Sequence, residues 1–192
     1  MVFGVEMIIL TLPTLLTLNE MGIEDLFTIF KKDFIDNETH LSKGTQKYLI
    51  DVKKDNYCPC PFGNSSKPER FWHIITKDEY NRRARNNPCL DSKERNRKYD
   101  VARAKRIHWI KIIIDAWQVD NKIKYFYQKR GNKVSLILWH SEKDFLIIIR
   151  KESNSSDRFL VSSYLIYRDK IRGYEKQLKD YEENAPTGDE WF

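Results

Sequence analysis

His73 is a residue whose type and setting point to proton-transfer chemistry. It lies within the apolar segment 71–76 (FWHIIT), which we predict to be a β-strand. Alternation along a strand would place His73 on one face with Phe71 and Ile75. Histidine is the usual proton shuttle near neutral pH. A histidine on an apolar face is more often a core residue with satisfied hydrogen bonds, so both interpretations of His73 are kept.

Arg103 and Arg106 are the second set of residues that could act chemically. We predict a helix over 99–117, whose apolar stripe contains Ile107, Ile110, Ile113, Ile114 and Trp117. Helical spacing carries that stripe back to both arginines, near the start of the helix. Inward-facing arginines need acceptors, because an unpaired buried charge is costly. Carboxylates would satisfy them in a structural role and a phosphate in a functional one, since the guanidinium fork matches phosphate oxygens.

A polar pair interrupts the last apolar strand that we predict, over 157–167. Ser162 and Tyr164 fall on one face of this strand and Ser163 on the other. Such a pair indicates either a site or a buried hydrogen bond, and a strand face turned to solvent is the alternative.

Together these residue types suit RNA cleavage without a metal. The 2′-hydroxyl must lose a proton and the leaving 5′-oxygen must gain one, which a histidine can do. Charge develops on the phosphate in between, and arginines can stabilise it. We therefore expect no metal and no cofactor.

The positive charge of the chain is concentrated in one segment. The net charge is +6 with a pI of about 9.1, and residues 77–106 hold eleven Lys or Arg against five acidic residues. A field of this kind steers polyanions, although a solvated basic loop would have the same composition. The candidate RNA-binding residues are Arg82, Arg83, Arg85, Arg95, Arg97, Lys98 and Lys105.

Length and composition predict one α+β domain. The chain has 192 residues, 41% of them hydrophobic, which suits a single domain at 21–183 with an apolar leader at 1–20 and a flexible tail at 184–192. We predict N-terminal helices, including one over 20–34 capped by Asn19, packed on an antiparallel four- to five-stranded meander sheet, and a C-terminal helix over 168–183. The meander strands are predicted at 122–129, 133–141, 143–151 and 157–167.

The remaining features favour a cytoplasmic protein that does not contact membranes. Three cysteines are too few for a disulfide framework. The leader lacks a basic start and a small-residue cleavage site, and it is too short and interrupted to span a bilayer. Zinc held by Cys58, Cys60 and Cys89 with His40 or His73 is disfavoured, because a Cys-x2-Cys pair is missing. His108 and His140 are weaker candidates for a site.

Several segments in order resemble a family of phage- and prophage-associated proteins that we associate with the barnase–EndoU–colicin D–RelE superfamily of RNases. They are FWHII (71–75), RAKRIHWI (103–110), LILWHSEKDFLIII (136–149) and FLVSSYLIY (159–167). The resemblance covers about residues 23–181. It implies N-terminal helices on a four-stranded antiparallel sheet, with a histidine, basic residues and a Ser or Thr converging on RNA.

The resemblance also implies residue roles. His73 would be the acid/base, Arg103 and Arg106 would clamp the phosphate, Ser162 would take the hydroxyl position, and Tyr164 would stack a base or bind a phosphate. The product would carry a 2′,3′-cyclic phosphate, the substrate would be tRNA, mRNA or rRNA, and an antitoxin or immunity protein would be a partner. The Cys-Pro-Cys-Pro segment at 58–61 departs from the family. A nucleic-acid-binding protein without catalysis, or a phage factor that binds a host protein, are the alternatives.

Overall fold

The computed structural model of the chain describes residues 11–18, 21–52, 57–58, 67–78, 97–131, 133–152 and 158–184. The fold is α+β, as the sequence predicts. Within the described ranges the helices are α1 (Ile23–Lys31), α2 (Glu69–Ile75), α3 (Val101–Ala104), α4 (Trp109–Ala116) and α5 (Arg168–Glu183). A π-helical turn, Lys32–Asp36, extends α1.

In the part of the chain that the structure describes, six strands form the main sheet and four short strands form two small ribbons. In chain order the strands are β1 (His40–Lys43), β2 (Gln46–Asp51), β3 (Tyr57–Cys58), β4 (Lys67–Pro68), β5 (Thr76–Asp78), β6 (Arg97–Tyr99), β7 (Ile123–Arg130), β8 (Lys133–His140), β9 (Phe145–Glu152) and β10 (Arg158–Leu165). The ribbons pair β3 with β4 and β5 with β6.

The main sheet contains the predicted meander but is larger and mixed. Its strand order is β1-β2-β10-β9-β8-β7, and β7 to β10 are the four antiparallel strands expected from the period-two pattern. The prediction of four to five strands was wrong, because the β1–β2 hairpin joins the sheet. This hairpin turns at Gly44, which has a φ of 57°. Parallel pairing of β2 with β10 then makes the sheet mixed.

The segment predicted as a strand at 71–76 is helix α2 up to Ile75. Pro68 precedes the helix and Glu69 begins it, and both residue types favour a helix start. Phe71, Trp72, Ile74 and Ile75 are buried. A short apolar run buried on most sides does not distinguish a helix from a strand, which explains the error. The consequence for His73 is a different set of neighbours.

The helix predicted over 99–117 is two shorter helices, α3 and α4. The chain enters α3 from β6, and Asp100 caps α3 by accepting a hydrogen bond from the backbone N–H of Arg103 at 3.2 Å. Turns at 105–108 separate the helices. The predicted apolar stripe survives in α4, where Ile110, Ile113 and Ile114 are buried.

Helices pack on both faces of the main sheet. On one face, α1, α2 and α4 enclose the larger core, in which Phe30 of α1 contacts Phe71 of α2 with ring centroids 5.5 Å apart. On the other face, Ile171, Tyr174, Leu178 and Tyr181 of α5 pack on a smaller apolar cluster. We refer to this second face as the α5 face. No helix of the described ranges is long and apolar enough to span a membrane.

The N-terminal segment joins the first layer. At the start of α1 the Asp25 carboxylate accepts a hydrogen bond from the Gly22 N–H at 2.7 Å, whereas the predicted cap Asn19 lies outside the described residues. Residues 11–18, which we assigned to the leader, run along α3 and α4. The Trp109 indole donates to the Pro13 carbonyl at 2.9 Å, and the Leu16 N–H donates to the Lys105 carbonyl at 3.1 Å.

The core at the centre of the sheet should carry much of the stability. We expect Leu138→Ala, at a fully buried position of β8, to lower the free energy of unfolding by about 2–5 kcal/mol, because it leaves a cavity. Leu49→Ala is the matched control, since Leu49 is 44% exposed on β2. Urea denaturation measures both variants, and equal losses would contradict this assignment of the core.

Stability should also fall on mild acidification. Burial lowers the pKa of His140 below its usual 6.5, against the opposing pull of the Asp120 carboxylate. The unfolded chain therefore takes up a proton first as the pH falls below about 6.5, and the free energy of unfolding decreases there. We expect the melting temperature of His140→Gln to change less between pH 7.5 and 5.5 than that of the wild type. Identical pH dependence in the two proteins would contradict the role of His140.

Candidate functional site

The candidate site forms where β10 loses its neighbour. β2 pairs with β10 at Arg158 and Phe159, and no other strand of the described residues pairs with the rest of β10 on that side. Helices α2 and α3 pack against β10 there and bring their side chains to the strand edge.

Arg103 is the centre of this arrangement. Its Nη1 donates to the carbonyls of His73 at 3.1 Å and Thr76 at 2.6 Å, and it lies 3.3 Å from Ser162 Oγ. The side chain is 15% exposed, and its Nε lies 3.7 Å from Asp100 Oδ2. A single guanidinium therefore joins α2, α3 and β10.

Ser162 and Tyr164 face the same side of β10, as strand alternation predicts. The register with β9 shifts between Leu160 and Ser162, which marks a bulge at Val161. Beyond the bulge, Ser163 is 1% exposed on the opposite face. The Arg103 guanidinium lies 5.3 Å from the centroid of the Tyr164 ring. Of the sequence-predicted residues, Arg103 is therefore in contact with both Ser162 and Tyr164.

Tyr164 remains protonated across the neutral range. Burial raises the pKa of its hydroxyl, and the hydrogen bond with Tyr174 acts in the same direction. The two hydroxyl oxygens are 2.6 Å apart. Tyr164 can therefore donate a hydrogen bond to an anion but cannot serve as a general base near neutral pH.

His73 joins the cluster through its backbone. Its carbonyl accepts from Arg103, whereas its ring Nε2 lies 3.3 Å from Glu69 Oε1, one helical turn earlier. The ring is 27% exposed and the Glu69 side chain 19%. Because the segment is helical, His73 shares a side with Glu69 and not with Phe71 and Ile75, as a strand would require.

The contacts that the structure gives Arg106 are with α3 and α4. Its Nη1 donates to the Ala102 carbonyl at 2.7 Å, and its guanidinium lies 5.2 Å from the Trp109 ring centroid. Burial lowers the pKa of Arg106, and the charge of Asp100 opposes that effect. The break between α3 and α4 separates the environments of the two arginines that a continuous helix would have aligned.

The candidate RNA-binding segment is described only at its end. Arg82, Arg83, Arg85 and Arg95 lie outside the described residues. Arg97 begins β6, Lys98 is exposed on β6, and Lys105 is half-buried after α3.

Sequence reasoning missed a second cationic group, on the α5 face. Strand register brings Gln128 of β7, Ser135 of β8 and Arg150 of β9 into one row across the sheet. Arg130 and Lys133 face each other at the end of the β7–β8 hairpin. No local pattern marks these residues, since Arg130 follows Lys129 and Arg150 precedes Lys151, and only the strand register brings them together.

These residues line a cleft of about 150 Å³ between the sheet and α5. Tyr164 and Tyr174 form its wall toward Arg103, and no acidic residue is among the lining residues that the structure describes. The Arg150 Nε is buried without a hydrogen-bond partner in the described part of the chain. We call this cavity, lined by Gln128, Arg130, Lys133, Ser135, Ile137, Ile148, Arg150, Tyr164 and Tyr174, the basic cleft.

The described residues hold no group of three or more His, Cys, Asp or Glu placed to bind a metal ion. Of the cysteines considered as zinc ligands, Cys58 lies in β3, whereas Cys60 and Cys89 fall outside the described ranges.

No protein-family model matches the chain, and comparisons with curated proteins and with solved structures give no match.

Arg103 should stabilise the fold as well as shape the site. We expect Arg103→Met to lower the free energy of unfolding by about 1–3 kcal/mol, since two carbonyls lose their donor. Arg172→Met, an exposed substitution on α5, should change it by no more than about 0.5 kcal/mol. Chemical denaturation compares them, and equal stability of the two variants would show that the Arg103 bonds contribute nothing.

Proposed function

We propose that the protein is a metal-independent endoribonuclease of toxin type, acting at the edge of β10. The observation that carries the proposal is the contact of Arg103 with both Ser162 and Tyr164, beside the backbone of His73. The part-buried Arg103 guanidinium thus lies beside the Ser162 hydroxyl and the ring of the protonated Tyr164, and guanidinium and hydroxyl groups are donors from which a phosphate accepts hydrogen bonds. The resemblance to the barnase–EndoU–colicin D–RelE superfamily supports the same chemistry.

In the proposed reaction, His73 accepts the proton of the 2′-hydroxyl and the 2′-oxygen attacks the adjacent phosphorus. The Glu69 carboxylate, 3.3 Å from the ring, stabilises the imidazolium that results. The bond from phosphorus to the 5′-oxygen breaks, and the imidazolium returns a proton to that oxygen. The products carry a 2′,3′-cyclic phosphate and a 5′-hydroxyl.

The remaining side chains act on the phosphate. Tyr164 donates a hydrogen bond to a non-bridging oxygen, and Arg103 supplies positive charge where negative charge develops. Ser162 holds the phosphate in register with both. Arg106 has no part in this scheme, because it is stacked on Trp109.

A nucleic-acid-binding protein without catalysis is the second candidate. The observation in its favour is that the His73 ring pairs with Glu69, while only its carbonyl meets Arg103. In that case the same residues bind RNA, and substitution of His73 leaves function intact. An antitoxin or immunity protein as partner remains a prediction from the resemblance.

Cleavage of total RNA in the presence of EDTA tests the proposal. We expect the wild type to produce cyclic-phosphate ends, and His73→Ala to lower the rate by about 10²–10⁴-fold, the range for a lost general acid/base. Tyr164→Phe removes only the hydroxyl and should lower the rate by roughly tenfold or more, with the ring packing kept.

His40→Ala is the matched histidine control, because His40 lies on β1 and is paired at 4.0 Å with Glu38. It should cleave like the wild type, and so should Arg106→Ala. Absence of cleavage by folded wild type would reject the endoribonuclease and leave the binding candidate. Cleavage that neither His73→Ala nor Tyr164→Phe reduces would place the active site elsewhere.

A further inference from the structure

We infer that the basic cleft is a phosphate-binding subsite that holds a backbone phosphate of a single-stranded nucleic acid, next to the group bound at Arg103. That the strand is RNA and is cut at Arg103 rests on the proposed function. Binding of a phosphodiester in the basic cleft does not depend on the proposed function. The experiments below test phosphodiester binding and RNA cleavage separately.

The described lining of the basic cleft carries positive charge only. Arg130, Lys133 and Arg150 converge on the cleft, and its described lining contains no carboxylate. Arg130 and Lys133 are directly opposite each other in the β7–β8 ladder, although Lys133 also has Glu152 as its register partner on β9. Like charges directly opposite destabilise a sheet, and an anion bound over this exposed pair on the cleft side would relieve their repulsion.

Arg150 has a hydrogen-bond donor without an acceptor in the described part of the chain. The Nε of Arg150 is buried and has no acceptor among the described residues. A buried donor without a partner costs free energy, and an anion in the cleft would offset part of that cost by neutralising the guanidinium charge. The neighbours of Arg150 in register are Ser135 and Phe159, neither of which is acidic.

The volume of the basic cleft and its hydrogen-bond donors match a phosphate group. At about 150 Å³ the cleft is smaller than the roughly 300–1,000 Å³ typical of pockets for whole small molecules. Its polar lining combines guanidinium and ammonium donors with the hydroxyls of Ser135, Tyr164 and Tyr174. A phosphate group fits both the volume and the donor set.

The basic cleft lies next to the Arg103 site. Tyr164 lines the basic cleft on one side, and its ring contacts the Arg103 guanidinium on the other. The charges of both Arg103 and Arg130 act on the Tyr164 hydroxyl. Two cationic sites with one shared wall suit consecutive phosphates of an extended strand, which single-strand binding grooves commonly follow.

Binding of a labelled 2′-O-methyl RNA 12-mer tests the inference, because this probe cannot be cleaved. Fluorescence anisotropy over a range of salt concentrations gives the affinity and its salt slope. For Arg130→Gln/Lys133→Gln we expect a loss of roughly tenfold near 0.1 M salt and a slope shallower by about 1.4, from two lost contacts of about 0.7 each. Arg150→Gln should weaken binding in the same direction.

The control is Lys124→Gln/Lys170→Gln, which removes the same charge from exposed positions outside the cleft. Equal affinity and slope in the two double variants would overturn the inference, as would absence of oligonucleotide binding by the wild type. Binding of inorganic phosphate without the oligonucleotide would overturn the assignment to a strand. Melting temperatures accompany each variant, and the cleft double variant should be at least as stable as the control.

The RNA-cleavage assay separates this inference from the proposed function. If the wild type binds the 12-mer through the cleft but does not cut RNA, the phosphate-binding subsite stands and the proposed nuclease activity is rejected. If the wild type cuts RNA and the cleft substitutions leave binding unchanged, the nuclease activity stands and the subsite is rejected.

Discussion

The burial of the Arg103 guanidinium at the edge of β10 is the interaction on which the rest of the site depends. Two of its acceptors are the His73 carbonyl at 3.1 Å in α2 and the Thr76 carbonyl at 2.6 Å in β5, so one cation holds α2 and β5 together beside β10. Desolvating an arginine is costly unless it is compensated, and here the two carbonyls accept from Nη1 while the Asp100 carboxylate lies 3.7 Å from Nε. The same charge then faces Ser162 and Tyr164, where it is available to a ligand.

The α5 face divides into an apolar end and a basic end, and both follow from strand register. Near the start of β9, Trp139 and Leu146 are paired and packed under α5. Toward the other end, the rows change to Gln128, Ser135 and Arg150. Covering the apolar end with α5 keeps it from water, while the basic end stays open beside the helix. Fold stability and ligand binding are thereby assigned to different ends of one surface.

The period-two segments were predictable, and the ambiguous apolar runs were not. Strands β7 to β10 alternate clearly and are joined by short turns, so local sequence determines them. The run at 71–75 is buried on most sides, and only the preceding Pro68 and Glu69 favour a helix. The β1–β2 hairpin is recruited to the sheet by the pairing of β2 with β10, a long-range effect that local pattern does not report. Arg103, Ser162 and Tyr164 were predictable because each contrasts with an apolar background, whereas the basic cleft needed the register.

Helix α5 is attached to the sheet by a narrow stripe of side chains and has no fully buried residue. Two side-chain hydrogen bonds add to this stripe, Tyr164 with Tyr174 and Gln128 with Gln177. Elements with so little buried area open at a lower free energy than the core strands. The amide protons of α5 should therefore exchange with solvent well before those of β8 and β9. Each opening of α5 would expose the apolar side chains of Trp139 and Leu146. The frequency with which α5 opens therefore determines how often the molecule exposes an apolar surface that can associate with other molecules.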